Sequence, residues 1–145
     1  MIALIQRVSR ASVTIDGVVV GEIKDGILVL LGVEKLDTEV NAQNLLTKVI
    51  NYRIFEDDNQ RMNLSLLDTE GELLIVPQFT LPADTTKGAR PSFTTAASPE
   101  LGEHLYLRFI ELARVKVLKV ETGEFGENMQ VSLVNSGPVT FWLQK

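Results

Sequence analysis

Apolar residues recur along this chain with two periods, and the shorter period predicts a protein rich in β-strands. Alternating or unbroken apolar runs predict strands over residues 2–8, 11–15, 18–23, 27–33, 72–76, 115–120, 130–134 and 139–143. The dipeptide Asp16-Gly17 is a strong hairpin signal, so the strands on either side of it should pair antiparallel. The unbroken run 27–33 predicts a strand that is buried on both faces.

Two segments have the helical period instead. The first should begin near Asp37 or Thr38, either of which could cap it, and should end before a polar turn at Asp57. Its apolar stripe consists of Ala42, Leu45, Leu46, Val49 and Ile50. The second should begin at Ser98-Pro99, a cap followed by a first-turn proline. Its core face consists of Leu101, Leu105, Phe109 and Leu112.

Together these elements predict a single α+β domain over residues 1–145, with no linker or internal repeat. We expect a strongly curved, barrel-like and mostly antiparallel sheet with two flanking helices. Residues 82–97 are predicted to form a long loop, which contains two prolines and a glycine. Loops of this length in compact domains often carry function.

Composition narrows the chemistry that is open to this chain. At 145 residues, 45% hydrophobic and 23% charged, it resembles an ordinary globular domain. No apolar run reaches the length of about 18 residues that spans a membrane, and no signal peptide is evident, so we expect a cytoplasmic protein. One histidine and no cysteine cannot make a typical His/Cys zinc site. An enzyme of this composition is expected to use backbone donors, hydroxyls and substrate groups, with no metal or cofactor.

Charged and titratable residues give few candidates for a binding or catalytic role. The net charge of −5 argues against binding long stretches of nucleic-acid backbone. Lys87 and Arg90, in the long loop, are either solvated loop charges or a local basic patch for one end of a nucleic acid. His104 lies beside the apolar stripe of the second helix, which indicates a helix-flank residue rather than a general base.

Two short segments have the strongest chemical interest. Gln78-Phe79-Thr80-Leu81 follows an apolar strand and contains one hydroxyl, that of Thr80, with no evident base beside it. Gly137-Pro138 lies between the last two predicted strands, where proline cannot donate a ladder hydrogen bond. The chain should bend or bulge there and present backbone groups and a small surface.

These two segments resemble the paired signatures of the D-aminoacyl-tRNA deacylases, and Asn135-Ser136-Gly137-Pro138-Val139-Thr140 matches the second signature in full. Further matches follow in order at residues 5–13, 30–33, 53–55, 62–65, 87–93 and 129–133. The resemblance implies a homodimeric hydrolase with active sites at the subunit interface. Its substrate would be the ester between a D-amino acid, or also glycine, and the 3′ end of tRNA.

The resemblance also implies roles for individual residues. Gln78 would hold the substrate, and the backbone N–H groups of Phe79 and Thr80 would stabilise the oxyanion while a substrate 2′-hydroxyl assists water. Gly137-Pro138, in cis, would enter the partner's pocket and reject L-aminoacyl groups. Other residues would bind substrate or support this selection: Arg7 behind Gly137-Pro138, Phe125 and Met129 beside the terminal adenine, and Lys87 and Arg90 as the candidate basic patch.

Two residues depart from the family pattern, and two other functions stay open. Pro77 replaces the usual serine, which removes a hydroxyl and an N–H, and Pro82 replaces a frequent aromatic residue. One alternative function is an esterase with Thr80 as its nucleophile. The other is a non-catalytic module that binds the aminoacylated end of tRNA.

Overall fold

A long first strand organises the sheet in the computed structural model, which describes residues 1–145. β1 (Ile2–Ile15) pairs antiparallel with β3 (Gly26–Gly32) through its first half and with β2 (Val18–Ile23) through its second half. β8 (Gln130–Gln144) pairs antiparallel with its other side. The prediction of two strands in 2–15 is therefore wrong, because pairing with β8 continues across Arg10 where the sequence pattern weakens.

Two parallel pairs extend the sheet beyond β3. β6 (Glu72–Pro77) lies parallel to β3, and β7 (Val120–Thr122) lies parallel to β6. The order is β2-β1-β3-β6-β7, with β8 on the far side of β1. Three strand pairs in this sheet are antiparallel and two are parallel. The prediction of a mostly antiparallel, barrel-like α+β fold is confirmed.

The two predicted helices are present, and the second is longer than expected. α1 (Glu39–Ile50) follows Thr38 as its N-cap. α2 (Pro99–Lys116) begins at Ser98, whose hydroxyl accepts the N–H of Leu101. Since α2 continues to Lys116, the strand predicted over 115–120 is wrong, and only β7 follows. The alternation of valines there misled the prediction, whereas buried Ala113 continues the helical stripe. No helix has the length and hydropathy needed to cross a membrane.

A short hairpin that the sequence pattern did not predict projects from the fold. β4 (Phe55–Glu56) and β5 (Met62–Leu64) pair antiparallel. The Asp57 carboxylate accepts the N–H groups of Asn59 and Arg61, which closes the turn. Strands of two and three residues are too short for an apolar period to reveal them.

Both faces of the sheet are covered. The larger core packs α1 and α2 against one face, with Leu45, Tyr106 and Phe109 fully buried. A smaller cluster covers the other face and includes Leu28 and Leu74. β3 is accordingly buried on both sides, as its unbroken apolar run predicted. His104, in contrast, lies exposed on the flank of α2, with Nε2 3.3 Å from the Glu39 carboxylate, as expected.

Candidate active site

A cavity of about 580 Å³ opens where β3 and β6 end and the N-terminus of α2 begins. Most of its lining is apolar, with a few polar groups at the rim. Its walls are Leu31 and Val33 at the end of β3, Val76, Pro77, Gln78 and Phe79 at the end of β6, Phe93 and Ala96 from the loop, and Gly102, Tyr106, Phe125 and Met129 opposite. An apolar hollow with few polar groups at its edge suits one end of an organic ligand.

The Gln78–Leu81 turn forms the polar edge of this cavity. The Gln78 N–H donates to Leu31 O at 2.8 Å, and the Leu81 N–H donates to Gln78 O at 3.3 Å. Between them, the N–H groups of Phe79 and Thr80 donate to no protein acceptor. Backbone donors are nearly always paired when they are not available to solvent or a ligand. Two adjacent unpaired donors at a cavity edge are suitable for binding an oxyanion.

The hydroxyl of Thr80 has an amide rather than a base beside it. Gln78 Nε2 donates to Thr80 Oγ1 at 2.6 Å, which is the hydroxyl's only hydrogen bond. A neutral amide cannot remove a proton, and no histidine or carboxylate contacts this hydroxyl. The geometry therefore does not provide the activation that a threonine nucleophile requires.

Gly32 lies directly beneath the Gln78–Leu81 turn. A Cβ at this position would lie 2.9 Å from Leu81 Cβ, 2.9 Å from Pro82 Cδ and 3.2 Å from Gln78 O. None of these atoms is the end of a flexible side chain. The missing side chain of Gly32 therefore sets how closely the turn packs on β3.

The opposite wall of the cavity is held by Tyr106. Its hydroxyl lies 2.8 Å from Gly123 O and 3.0 Å from Ile75 O, and burial raises the pKa of this phenol. Its ring packs on Phe125 with centroids 6.0 Å apart. Gly102 leaves room for the Phe125 ring, since a Cβ there would lie 3.2 Å from that ring. Phe125 and Met129 are thus half-buried residues that line the cavity and also pack against the core clusters.

The long loop beside the cavity is braced rather than irregular. Asp84 and Ser92 exchange backbone hydrogen bonds, and the Thr95 hydroxyl donates to Pro82 O. The Asp84 carboxylate accepts from the hydroxyl and the N–H of Thr86, which lowers the pKa of this carboxyl. Lys87 and Arg90 lie exposed between the paired residues of this loop.

Gly137-Pro138 lies on a loop that β8 extrudes. Gln6 is opposite Thr140 and Val8 is opposite Asn135, so the four residues 136–139 face Arg7 alone. The Gly137-Pro138 bond is cis, and Gly137 has φ 139°. The bulge expected from the Gly-Pro pair is present.

Arg7 and Asn135 hold the base of this loop. Arg7 Nε donates to Ser136 O at 2.9 Å, and its NH1 group donates to Ile54 O at 2.7 Å. The Asn135 amide accepts the Val139 N–H at 2.6 Å and donates to Thr140 Oγ1 at 2.9 Å. Asn135 bridges the two ends of the extruded segment, whose tip remains exposed.

The structure brings together some of the predicted site residues and separates others. Gln78, Phe79, Phe125 and Met129 line one cavity, and Thr80 follows at its edge. Arg7, Gly137 and Pro138 are not part of that lining and form a second group on β8 and β1. The sequence analysis did not single out Phe93, Tyr106 or Asn135 individually. Asn135 begins the Gly-Pro segment and Phe93 ends the matching segment 87–93, so both had a signal, whereas Tyr106 had none.

The fold and the cavity define a small α+β protein in which an apolar cavity adjoins a pair of unpaired backbone donors. Comparison with known proteins makes this specific. A family model described as D-Tyr-tRNA(Tyr) deacylase matches residues 4–144. The chain belongs to this family of deacylases.

Individual relatives agree over almost the full length. D-aminoacyl-tRNA deacylases from Actinobacillus succinogenes and Escherichia coli O81 are 59% and 57% identical over 144 residues, covering 99% of both chains in each case. A solved structure described as c-Myc DNA Unwinding Element Binding Protein is 39% identical with a TM-score of 0.95, covering 100% of this chain and 99% of its own. A probable eukaryotic D-amino acid tRNA deacylase, 19% identical, has the same fold with a TM-score of 0.86, covering 99% and 98%.

Proposed function

We propose that this protein hydrolyses the ester bond between a D-amino acid and the 3′ end of tRNA. The proposal rests on family membership over the whole chain, since relatives at 57–59% identity have the name D-aminoacyl-tRNA deacylase. Such an enzyme is a hydrolase that acts on ester bonds, and its substrate is a charged tRNA. We place the activity in the cytoplasm, where translation uses charged tRNA.

Incubation of the purified protein with D-tyrosyl-tRNA and L-tyrosyl-tRNA, with a chelator present, tests this function. We expect rapid loss of the D-ester and little loss of the L-ester. Retention of the D-ester over many equivalents of enzyme would contradict the proposal and would favour a non-catalytic module that binds the tRNA end. The same assay with glycyl-tRNA asks whether an aminoacyl group without a side chain also enters the site.

The proposed chemistry uses backbone donors rather than a side-chain nucleophile. The scissile carbonyl lies at the Gln78–Leu81 turn, where the N–H groups of Phe79 and Thr80 stabilise the developing oxyanion. The substrate's own 2′-hydroxyl assists the attacking water, and Gln78 positions the ester. The unpaired state of these two N–H groups supports this assignment. Phe125 and Met129 enclose the terminal adenine at the opposite wall, while Lys87 and Arg90 contact the phosphates that follow.

Replacement of Thr80 by alanine distinguishes this chemistry from a threonine esterase. Thr80→Ala retains the backbone N–H and removes the hydroxyl together with the γ-methyl group. We expect kcat for D-tyrosyl-tRNA to stay within about tenfold of the wild type. Loss of a true nucleophile would instead lower kcat on the order of 10⁴-fold or more. Single-turnover kinetics and a search for an acyl-enzyme on Thr80 check the result. A loss of 10⁴-fold, with an acyl adduct in the wild type, would identify Thr80 as the nucleophile.

The proposed active site needs a second copy of the chain. Gly137-Pro138 protrudes from β8 and lies outside its own cavity lining, so rejection of L-aminoacyl groups by this pair requires another subunit. β8 pairs with β1 alone and leaves its other edge unpaired. Leu133, Val134 and Trp142 are exposed along this strand. An unpaired edge with exposed apolar residues favours association. We propose a homodimer in which each Gly137-Pro138 enters the partner's cavity.

Mixing two defective subunits tests this arrangement. Gly137→Ala damages the selecting loop, since its Cβ would lie 2.7 Å from Val139 Cγ2 at a positive φ. Gly32→Ala damages the cavity edge instead. We expect Gly137→Ala dimers to hydrolyse L-tyrosyl-tRNA, and this activity to fall when they exchange subunits with excess Gly32→Ala protein. If L-ester hydrolysis per Gly137→Ala subunit instead stays constant in verified mixed dimers, the selecting loop acts on the cavity of its own chain.

A further inference from the structure

Two aromatic rings at the mouth of the cavity are exposed, unlike the other aromatic residues of this region. Phe79 is 65% exposed and Phe93 is 42% exposed, whereas Tyr106 and Phe109 are buried. The two rings lie 5.4 Å apart between centroids, with their planes tilted by 40°. Both line the cavity rim. A pair of adjoining, solvent-facing phenylalanines at a site's edge marks a surface for a flat apolar group.

The basic residues in the same loop as Phe93 indicate that the ligand of this pair is a nucleic acid. Phe93 follows Ser92, which pairs with Asp84 in the braced loop that carries Lys87 and Arg90. One segment of the chain therefore contains an aromatic ring of the cavity lining and two exposed cations. Aromatic faces with adjacent basic residues are how proteins hold single-stranded nucleic acid, since bases stack on the rings and cations contact the phosphates.

We propose that Phe79 and Phe93 form a stacking platform for the nucleobase that precedes the terminal adenosine of tRNA. This inference rests on the proposed function, which places the terminal adenine between Phe125 and Met129 inside the cavity. The strand leaves the cavity at its mouth, where the platform lies, and continues towards Lys87 and Arg90. Because every base has a flat face, the platform accepts the common 3′ end of all tRNAs.

Substrates of two lengths isolate this contact. The D-tyrosyl ester of adenosine lacks the preceding base, whereas the D-tyrosyl ester of the trinucleotide CCA contains it. For Phe93→Leu we expect the preference for the trinucleotide ester, as a ratio of kcat/KM values, to fall about tenfold. The loss should lie mainly in KM, and Phe93→Trp should restore the preference. Phe55→Leu, which alters an aromatic residue outside the cavity, is the matched control.

A direct binding measurement keeps this test independent of catalysis. In the uncharged trinucleotide C(2-aminopurine)A, the fluorescent base occupies the position before the terminal adenosine. We expect the wild type to quench its fluorescence on binding and Phe93→Leu to relieve this quenching. An unchanged trinucleotide preference and unchanged quenching in Phe93→Leu would overturn the platform. So would a shift from dimer to monomer with equal losses on both esters, since Phe93 would then be covered by the second copy. Failure of the wild type to hydrolyse either ester would overturn the proposed function, while quenching would still report on the platform.

Discussion

Replacement of Gly32 by alanine is expected to lower D-tyrosyl-tRNA hydrolysis by about 100-fold. The added methyl group would lie 2.9 Å from both Leu81 Cβ and Pro82 Cδ, so the Gln78–Leu81 turn must move away from β3. A displacement of about 1 Å at a catalytic donor costs rate on that scale. The N–H groups of Phe79 and Thr80 would move with the turn, and kcat should fall more than KM rises. Steady-state kinetics on both tyrosyl-tRNAs measures the effect.

A control variant separates this displacement from simple destabilisation. Overpacking at Gly32 should lower the free energy of unfolding by about 1–3 kcal/mol. Ile23→Val, at a buried position that does not line the cavity, removes a buried methylene and costs about 1 kcal/mol. We expect Ile23→Val to retain wild-type kinetics. Wild-type kinetics in Gly32→Ala would show that the turn tolerates a shift and that its two donors are not the oxyanion site.

Replacement of Arg7 by lysine is expected to lower discrimination between D- and L-tyrosyl-tRNA by about 10- to 100-fold. The guanidinium group donates to Ser136 O and Ile54 O and lies 3.7 Å from the Glu56 carboxylate. A lysine retains the charge but lacks the planar fork that reaches both carbonyls. Loss of one such charged hydrogen bond costs about 1.5–3 kcal/mol, which corresponds to this change in ratio. The loop that carries Gly137-Pro138 would loosen and admit L-aminoacyl groups.

The ratio of kcat/KM for the two esters is the readout, and amide hydrogen exchange at Val139 reports loop opening directly. Arg10→Lys is the matched control, because Arg10 lies on the same strand, is exposed and makes no side-chain hydrogen bond. It should keep the wild-type ratio. If the Arg7 variant exchanges faster at Val139 yet keeps the wild-type ratio, the loop does not determine the discrimination between D- and L-esters.

Elements were predictable where buried residues recur with a short period, and unpredictable where pairing with a distant strand decides the conformation. The stripe from Ala42 to Ile50 and the Ser98-Pro99 start identified both helices, because side-chain period and capping are properties of neighbouring residues. The pattern weakens at Ser9-Arg10, yet β1 continues there because β8 supplies its partner. The apparent strand over 115–120 failed for the opposite reason. Packing of Ala113 against the core extends α2 through residues that alternate like a strand.

Some features of the site were likewise predictable from the sequence, and others depend on tertiary contacts. The Gln78–Leu81 and Asn135–Thr140 segments stand out in the sequence by their residue types. Phe79, which as an isolated phenylalanine is expected in a core, is instead one of the most exposed aromatic residues. Its neighbour Phe93 reaches it only because the long loop is braced at Asp84 and Ser92. No period in the sequence encodes such a contact.

The sequence by itself therefore determined both helices, most of the strands, the absence of thiol chemistry and the two segments that identify the family. Those properties depend on residue identity and on periods of a few residues. Only the tertiary structure decided that Phe79 and Thr80 present unpaired N–H groups, that four residues of β8 face Arg7 alone, and that Gly137-Pro138 lies apart from the cavity of its own chain. Each of these depends on the register between segments distant in sequence, which is fixed by the packing of the whole domain.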